Sequence, residues 1–388
     1  MKIKLSTPYF FGNEKKYLLK CIKSEWISPG GRASKLFEKK IKTYTKAKHA
    51  VGLVNCTAAL QLSVRLLNPK KNDEILVPSI TFVSSVNAIL YNNCKPIFID
   101  CNNKGLIDIS KVLEFIKFNT FYKNGYTFNK KTKRRIIGII VVHTFGNLVQ
   151  LDQKFSKICK EKNIKIIEDA AESLGSFYNK NSKKIHSGTV GDFGCLSFNA
   201  NKTITSGGGG MLLLKNKNLY KKAIYLSSQA KNNSTFFIHD EVGYNLRISD
   251  LHASIGLAQL NNFSKVLKKK NTIHKMYRDK LNNVDGLTVL EKPDYCSSNY
   301  WLNIIKIDKK KYGISKKAII DKFNKEGIET RSVWLPNHLQ LPFKNYQKFK
   351  LTKSFEYYND CLCLPSSYDL KNKHQSKIIN LLKNRFNK

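Results

Sequence analysis

The chain has 388 residues, enough for a large domain and a smaller one, and its 41% hydrophobic content excludes a disordered protein. Its 68 basic and 28 acidic residues give a formal net charge of +40, which alone would favour a nucleic-acid or anionic-membrane partner. The basic residues are mostly lysines spread along the chain, so we interpret them as solvated faces and expect neither nucleic acid nor a membrane as partner.

Location and redox state follow from other features of the sequence. The longest apolar run, 136–142, is too short to cross a bilayer, and the first residues lack the apolar core of a signal peptide. We therefore expect a cytoplasmic protein. Nine scattered cysteines without a CxxC pair favour reduced thiols, and no spacing predicts a zinc site or another metal site.

Periodic apolar patterns predict alternating helices and strands from the N-terminus onward. In order, the predicted elements are an arm at 1–12, helices at 13–22 and 33–46, strands at 49–54, 74–77, 96–101 and 136–143, and a helix at 153–162. We expect Asn13 to cap the first helix. Because strands alternate with helices, the sheet should be mainly parallel, with its most apolar strand in the centre. A polar insert at 118–135 shows little pattern.

Some residues in this first half have both a structural and a functional interpretation. Thr57 and Ala58 fall at a predicted helix N-terminus, where free N–H groups and the helix dipole favour an anion, although an ordinary cap would look the same. Phe82 follows a predicted strand and would be a core residue in most proteins. Trp26 lies in a Ser-Pro-Gly-Gly loop, which it would pin to the core.

An acid and a lysine stand out further along the chain. Residues 164–169 predict a buried strand that ends in Asp169, and an acid at the carboxyl end of a parallel strand lies where α/β sheets bind ligands. A second apolar run, 195–198, is followed by a polar turn with Lys202 and by four glycines, 207–210. In a chain so rich in lysine, a solvated hairpin lysine is the alternative.

Asp169, Ser197 and Lys202 together provide the groups that pyridoxal phosphate chemistry needs. A lysine amine bonds to the cofactor aldehyde, and a carboxylate keeps the pyridine nitrogen protonated so that the ring acts as an electron sink. Hydroxyl and backbone N–H groups hold the phosphate.

Three stretches resemble the DegT/DnrJ/EryC1/StrS family of sugar aminotransferases: EDAAESLGSFY, GDFGCLSFNANKTITSGGGGM and DEVGYNLRISDLHASIGLAQL. The resemblance runs in order along nearly the whole chain. It implies the α/β fold of type I pyridoxal-phosphate-dependent transferases, like aspartate aminotransferase, with a large mainly parallel sheet and a smaller C-terminal α/β domain. Within the family, the chain most resembles the nucleotide-sugar 4-aminotransferases of legionaminic acid and bacillosamine biosynthesis.

The resemblance also implies a division of the chain into three parts. These are an N-terminal arm at 1–12, a large cofactor-binding domain at 13–260 and a small domain at 261–388. A long helical pattern at 251–280 would link the two domains.

The family resemblance assigns the central roles to three residues. Lys202 would bind pyridoxal 5'-phosphate and move the proton, and Asp169 would keep the ring nitrogen protonated. Asn245, in the motif GYNLR, would reach the cofactor phosphate of a neighbouring subunit. The resemblance therefore implies a homodimer with shared active sites.

The remaining expected contacts form two groups. The resemblance places Thr57, Ala58 and Ser197 at the cofactor phosphate and Phe82 on the face of the ring. It places near the substrate Trp26, Glu172, Asn199, Trp334 and His338. For the tryptophans and the histidine, simple packing is the alternative.

The implied reaction moves the amino group of L-glutamate to C4 of a nucleotide-linked 4-keto-6-deoxy sugar for surface-glycan biosynthesis. We expect UDP-2-acetamido-2,6-dideoxy-hexos-4-ulose as the sugar substrate, with GDP-4-keto-6-deoxymannose, the substrate of perosamine synthases, as the alternative. A non-catalytic basic scaffold is a further alternative. Relatives that dehydrate their substrate carry histidine in place of the lysine, and Lys202 argues against that reaction.

Overall fold

The computed structural model describes residues 2–180, 183–233 and 235–386. Residue 1 of the predicted arm and residues 387–388 of the predicted small domain lie outside the described residues. The helices are α1 (Asn13–Lys23), α2 (Arg32–Thr45), α3 (Cys56–Arg65), α4 (Ser84–Leu90), α5 (Ile109–Asn119), α6 (Gln153–Glu161), α7 (Lys217–Ser227), α8 (Asp250–Leu260), α9 (Phe263–Leu281), α10 (Lys309–Tyr312), α11 (Lys316–Lys325), α12 (Lys353–Asp360) and α13 (Asn372–Lys383). The strands are β1 (His49–Leu53), β2 (Glu74–Pro78), β3 (Lys95–Ile99), β4 (Thr120–Lys123), β5 (Tyr126–Asn129), β6 (Arg135–Val142), β7 (Lys165–Asp169), β8 (Phe177–Lys180), β9 (Lys183–His186), β10 (Phe193–Ser197), β11 (Gly210–Leu214), β12 (Lys231–Asn233), β13 (Ile238–His239), β14 (Leu287–Val289), β15 (Cys296–Ser297), β16 (Asn303–Ile307), β17 (Arg331–Ser332), β18 (Gln347–Phe349) and β19 (Cys361–Leu364).

The large sheet confirms the predicted mainly parallel architecture. Its order is β1-β11-β10-β7-β6-β2-β3-β18, and the pairs from β10 to β18 are all parallel. Only β1 and β11 close this path with antiparallel pairs. Parallel pairing brings the carboxyl ends of β2, β6, β7 and β10 to one edge, the edge where α/β sheets bind ligands.

The central strand β6 is buried on both faces, as its apolar sequence predicts. Ile140 and Val142 pack into one hydrophobic cluster, and Ile139 and Val141 pack into the cluster on the other side. Because successive side chains of a strand point to opposite faces, each face of the sheet needs its own cover, and the crossover helices provide it.

A second, smaller sheet lies in the C-terminal part, in the order β14-β16-β19-β17. It has its own core, to which Ile305, Phe323 and Leu362 contribute. The predicted boundary at residue 260 coincides with the end of α8. However, β18 pairs with β3 of the large sheet, so the C-terminal part also contributes a strand to the first layer.

Three local expectations were wrong. Gly12, with φ of 96°, is the N-cap of α1 in place of Asn13, because the Glu14 carboxylate accepts the N–H groups of Phe11 and Gly12. The insert at 118–135 is not patternless. It forms the hairpin of β4 and β5, which joins the large sheet through β6.

The third difference concerns the helix predicted at 251–280. It is broken into α8 and α9, because the Asn262 N–H bonds to the Gln259 carbonyl in a turn before α9 begins. Among the described residues, no helix combines the length and apolarity needed to cross a membrane.

Candidate functional site

A cavity of about 480 Å³ opens at the carboxyl edge of the large sheet. Its walls come from the large sheet, from the arm, and from the segments around β16 and β17 of the small sheet. Eight of the residues predicted for the site line it: Thr57, Phe82, Asp169, Glu172, Ser197, Asn199, Lys202 and Trp334.

Asp169 is the last residue of β7 and is buried. The Ser85 hydroxyl donates to its Oδ2 at 2.6 Å, and the Ala171 N–H donates to its Oδ1 at 3.1 Å. Burial raises the pKa of Asp169, although both hydrogen bonds act in the opposite direction. A buried carboxyl group with a raised pKa gains most from a cationic partner, so this position suits a protonated ring nitrogen.

Glu168, one residue earlier, points to the other side of β7 and is fully satisfied by the protein. Burial raises its pKa, but the bond from His143 at 2.9 Å and the N–H groups of Gly191 and Gly188 outweigh this effect and hold the pKa below its usual value. The Val149 N–H donates to His143 Nδ1, so the imidazole must donate through Nε2. This pair anchors β7 and does not face the cavity.

Lys202 lies in the connection between β10 and β11, and its Nζ has two partners. One is Glu172 Oε1, at 3.1 Å, and the other is the Trp301 ring, whose centre is 3.8 Å away. The second Glu172 oxygen accepts the Phe145 N–H at 2.8 Å. Burial raises the pKa of Glu172, and the nearby Lys202 charge acts against this rise. The solvated-hairpin interpretation of Lys202 is therefore excluded.

The glycine tract explains how the lysine loop fits against α3. Gly207 and Gly209 have φ of 80° and 109°, which favour glycine. A Cβ on Gly210 would lie 2.4 Å from backbone atoms of Asn55, at the N-cap of α3. The backbone at Gly210 can approach Asn55 this closely only because glycine has no side chain. This close approach places the α3 N-terminus next to the end of β10.

The start of α3, where the sequence predicts anion binding, lies partly at the cavity. Thr57 lines the cavity, and its hydroxyl donates to Ser84 at 2.9 Å. Ala58 is buried outside the lining, and its N–H already donates to the Asn55 side chain at 2.8 Å. A phosphate here would therefore meet the Thr57 hydroxyl first and would compete with Asn55 for the Ala58 N–H.

Phe82 is not the core residue that its position after a strand suggested. Its side chain is 55% exposed and lines the cavity, so its ring is free to lie against a flat ligand. Trp334 also lines the cavity and stacks on Phe145, with ring centres 4.6 Å apart.

Besides Ala58, three predicted residues lie outside the cavity of this chain. Trp26 is 55% exposed, and its indole donates to the Pro29 carbonyl within its own loop. His338 is buried, with Nδ1 2.6 Å from the Ser79 hydroxyl, which gives it a packing role in this chain. Asn245 is exposed on the loop that follows β13.

Three residues of the site were missed at the sequence level: Ser85, Phe145 and Trp301. The Ser85 hydroxyl reaches Asp169 and the Phe145 N–H reaches Glu172 through hydrogen bonds that no sequence motif predicts. Phe145 adopts φ of 57°, which is rare for a bulky side chain and typical of functional sites. Trp301 precedes a strand, where a buried aromatic residue is the ordinary expectation.

The donor set fits pyridoxal phosphate. It has a buried carboxyl group for the ring nitrogen, an amine for the aldehyde, an exposed aromatic ring for the ring face, and hydroxyls of Thr57 and Ser197 beside a helix N-terminus for the phosphate. The cavity joins these groups in one space.

Comparison with known proteins gives a consistent result. A family model described as the DegT/DnrJ/EryC1/StrS aminotransferase family matches residues 10–383. GDP-perosamine synthase of Vibrio cholerae is 33% identical, over 98% of this chain and 98% of its own. The UDP-4-amino-4,6-dideoxy-N-acetyl-beta-L-altrosamine transaminase of Campylobacter jejuni (strain 81-176) is 29% identical, over 91% of this chain and 89% of its own.

Solved structures agree with the fold. The crystal structure of the aminotransferase TlmJ from Streptoalloteichus hindustanus superposes with a TM-score of 0.87 at 25% identity, over 98% of each chain.

Proposed function

The chain belongs to the DegT/DnrJ/EryC1/StrS aminotransferase family, and from that premise we propose that it transfers the amino group of L-glutamate to C4 of a nucleotide-linked 4-keto-6-deoxy sugar. It is a pyridoxal-phosphate-dependent sugar aminotransferase with the type I fold. One observation carries the proposal for this chain: Lys202, Glu172 and Asp169 line the same cavity at the carboxyl edge of the sheet.

The roles of the residues follow from their positions. When bound, pyridoxal phosphate supplies an electron sink for the negative charge left at the carbon that loses a proton. Asp169 holds a proton at the ring nitrogen. Lys202 Nζ takes the proton from Cα of L-glutamate and, in the second half of the reaction, delivers one to C4 of the sugar. Glu172 keeps that amine beside the reacting carbons through the 3.1 Å contact.

For the sugar nucleotide we propose UDP-2-acetamido-2,6-dideoxy-hexos-4-ulose, on the resemblance to the legionaminic acid and bacillosamine enzymes. The Campylobacter jejuni relative supports a UDP-linked substrate by its name. The insert at 118–135 does not support either sugar by a contact with the cavity, because β5 pairs with the start of β6, away from the cavity.

The second candidate is GDP-4-keto-6-deoxymannose. The observation in its favour is the 33% identity to the GDP-perosamine synthase of Vibrio cholerae, over nearly the full length of both chains.

The test is turnover with both sugars side by side. The purified protein, loaded with cofactor, is incubated with L-glutamate and each keto-sugar, and mass spectrometry follows the 4-amino product. We expect amination of the UDP-linked sugar at the higher kcat/KM. A protein with bound cofactor that aminates neither sugar would contradict the proposal.

A parallel measurement assigns the lysine. After borohydride reduction of the loaded protein, peptide mapping should find the cofactor on Lys202, and Lys202→Ala should lose the visible absorbance band while keeping its far-ultraviolet circular dichroism. An unchanged band in that variant would contradict the assignment.

We also propose that the working unit is a homodimer in which Asn245 serves the site of the partner. Asn245 is exposed and lies outside the cavity of its own chain. Val242 on the same loop is 80% exposed, and Phe236 and Phe237, just before β13, are 75% and 69% exposed. Apolar side chains this exposed, on both sides of one short strand, support a protein contact there.

A further inference from the structure

Trp301 makes two contacts with the lysine loop. Its indole Nε1 donates to the Asn201 carbonyl at 2.6 Å, and the centre of its ring lies 3.8 Å from Lys202 Nζ. Trp301 is only 4% exposed. A cation this close to the face of a buried indole is attracted by the electrons of the ring, and the attraction is stronger where water is excluded.

Two neighbouring residues help to fix the position of Trp301. Phe145 stacks on it nearly in parallel, with ring centres 6.3 Å apart and planes 11° apart. The buried Lys270 donates to the Trp301 carbonyl at 2.8 Å. Trp301 lies two residues before β16 of the small sheet, so a segment next to the small sheet provides the surface that contacts Lys202, which lies between β10 and β11 of the large sheet.

The Lys202 amine is also held by Glu172. Glu172 places one carboxylate oxygen on Lys202 Nζ, while its second oxygen accepts the Phe145 N–H. The amine therefore contacts both an anion and an aromatic face.

We propose that Trp301 is a positioning residue for the Lys202 amine, and that with Glu172 it forms a holding place for this amine whenever the amine is not bonded to the cofactor. Transamination leaves the lysine unbonded between its two half-reactions, and the amine must stay close and return. The aromatic face adds to the Glu172 ion pair without bringing a second negative charge to the amine. The inference rests on the proposed role of Lys202.

The test uses the cofactor-free protein, in which the amine should occupy this place. Acetic anhydride modifies lysines in the neutral form, and mass spectrometry gives the rate at each lysine, with the 90% exposed Lys317 as internal reference. In Trp301→Leu, the rate at Lys202 should rise roughly two- to tenfold, because the ammonium form loses the aromatic face. Trp301→Phe should give a smaller rise, since it keeps an aromatic face.

The matched control is Trp334→Phe, which alters the same stack of rings without touching Lys202. It should leave the rate at Lys202 unchanged. Thermal melting shows that each variant is folded, and Trp301→Phe carries the test if Trp301→Leu does not fold. An unchanged rate at Lys202 in both Trp301 variants, or an equal rise in Trp334→Phe, would overturn the role of Trp301.

Failure of the proposed function looks different. If borohydride reduction of the loaded wild-type protein places the cofactor on another lysine, the assignment of Lys202 fails and the inference fails with it. If the adduct is on Lys202 and only the labelling rates are unaffected, the role of Trp301 alone is overturned.

Discussion

Asp169 is buried at the wall of the cavity. Among the described residues, no basic side chain lies within salt-bridge distance of its carboxylate. Its raised pKa means that the folded chain holds the proton more tightly than the unfolded chain does. The stabilising contribution is therefore complete below the unfolded value of about 3.8 and is lost as the pH rises through the folded pKa. At neutral pH, the burial of Asp169 therefore costs stability in the cofactor-free protein, and a cationic ligand would offset this cost.

Asp169→Asn should therefore stabilise the cofactor-free protein and at the same time weaken its response to the cofactor. Without cofactor at pH 7, the variant should unfold with a free energy higher by about 1 kcal/mol, because the amide cannot ionise, and this gain should shrink as the pH falls toward 4. Added pyridoxal phosphate should raise the Tm of the wild type and hardly that of the variant. Thermal melting at both pH values, with and without cofactor, measures this.

The control for that comparison is Asp279→Asn, at a solvent-exposed carboxyl group. It should show neither the pH-dependent gain nor the loss of cofactor response. An Asp169→Asn gain that is the same at both pH values would contradict the burial argument.

Single residues differ in how far sequence alone predicts them. Asp169 and Lys202 were predictable because a strand-end acid and a lysine beside glycines are unusual patterns with a chemical reason. The contacts of Ser85, Phe145 and Trp301 depend on how separate elements pack in space, and no local pattern encodes such packing.

At the scale of elements, α9 carries a lysine that belongs to the core. Lys270 is 3% exposed, and its ammonium group donates to the carbonyls of Trp301 and Ser366. Burial lowers its pKa to about 7. Between this value and the ordinary 10.5, the unfolded chain binds the proton more tightly than the folded chain, so stability should rise with pH across that window.

We expect Lys270 to contribute an increase in the free energy of unfolding from pH 7 to pH 9, with a limiting slope of about 1.4 kcal/mol per pH unit, seen as the difference between the wild type and Lys270→Met. Lys270→Met should lack this contribution, because the titrating group is gone. Denaturant unfolding at several pH values measures the slope.

Lys268→Met, on an exposed turn of the same helix, is the matched control and should keep the wild-type slope. Should Lys270→Met not fold, Lys270→Arg should also lack the Lys270 contribution, since a guanidinium does not lose its proton in this range. A variant at Lys270 that retains the full slope would contradict the assignment.

Elements with a strong apolar period were predictable to within a few residues, as β6 and β7 illustrate. The hairpin of β4 and β5 was missed because its many lysines and asparagines obscure the alternation of apolar and polar residues that is typical of a strand. Its aromatic residues Phe121 and Phe128 nevertheless stack across the two strands, 5.4 Å apart. The break between α8 and α9 was missed because residues on both sides continue a helical pattern, and only the turn at Asn262 interrupts it.

At the scale of the whole molecule, a shared active site makes a quantitative prediction. If Asn245 acts in the site of the partner, Lys202→Ala and Asn245→Ala on separate chains fall in the same site of a mixed dimer. Each mixed dimer then has one site with both changes and one with neither. Exchanging subunits between the two variants should therefore recover roughly a quarter of wild-type activity.

The control pair is Lys202→Ala with Asp169→Ala, two changes that act in the site of their own chain. Mixing them should recover nothing. Full activity of Asn245→Ala alone, or no recovery in its mixture with Lys202→Ala, would contradict the shared site.

The global fold was predictable because the family resemblance spans the chain, and the family match confirms it. The division into two domains stays a prediction. Sequence order alone does not predict where β18 lies. This strand comes from the C-terminal part of the chain but pairs with β3 at the edge of the large sheet.

The arm has a consequence for the order in which the molecule can be assembled. Ile3 exchanges backbone bonds with Gly327 and Glu329, and the Leu5 carbonyl accepts the Ser366 N–H. Leu5 also lines the cavity. A ribosome releases these partners more than 300 residues after the arm itself. The wall of the cavity that the arm provides can therefore close only late in synthesis, and any polypeptide fused ahead of residue 2 would emerge near this cavity.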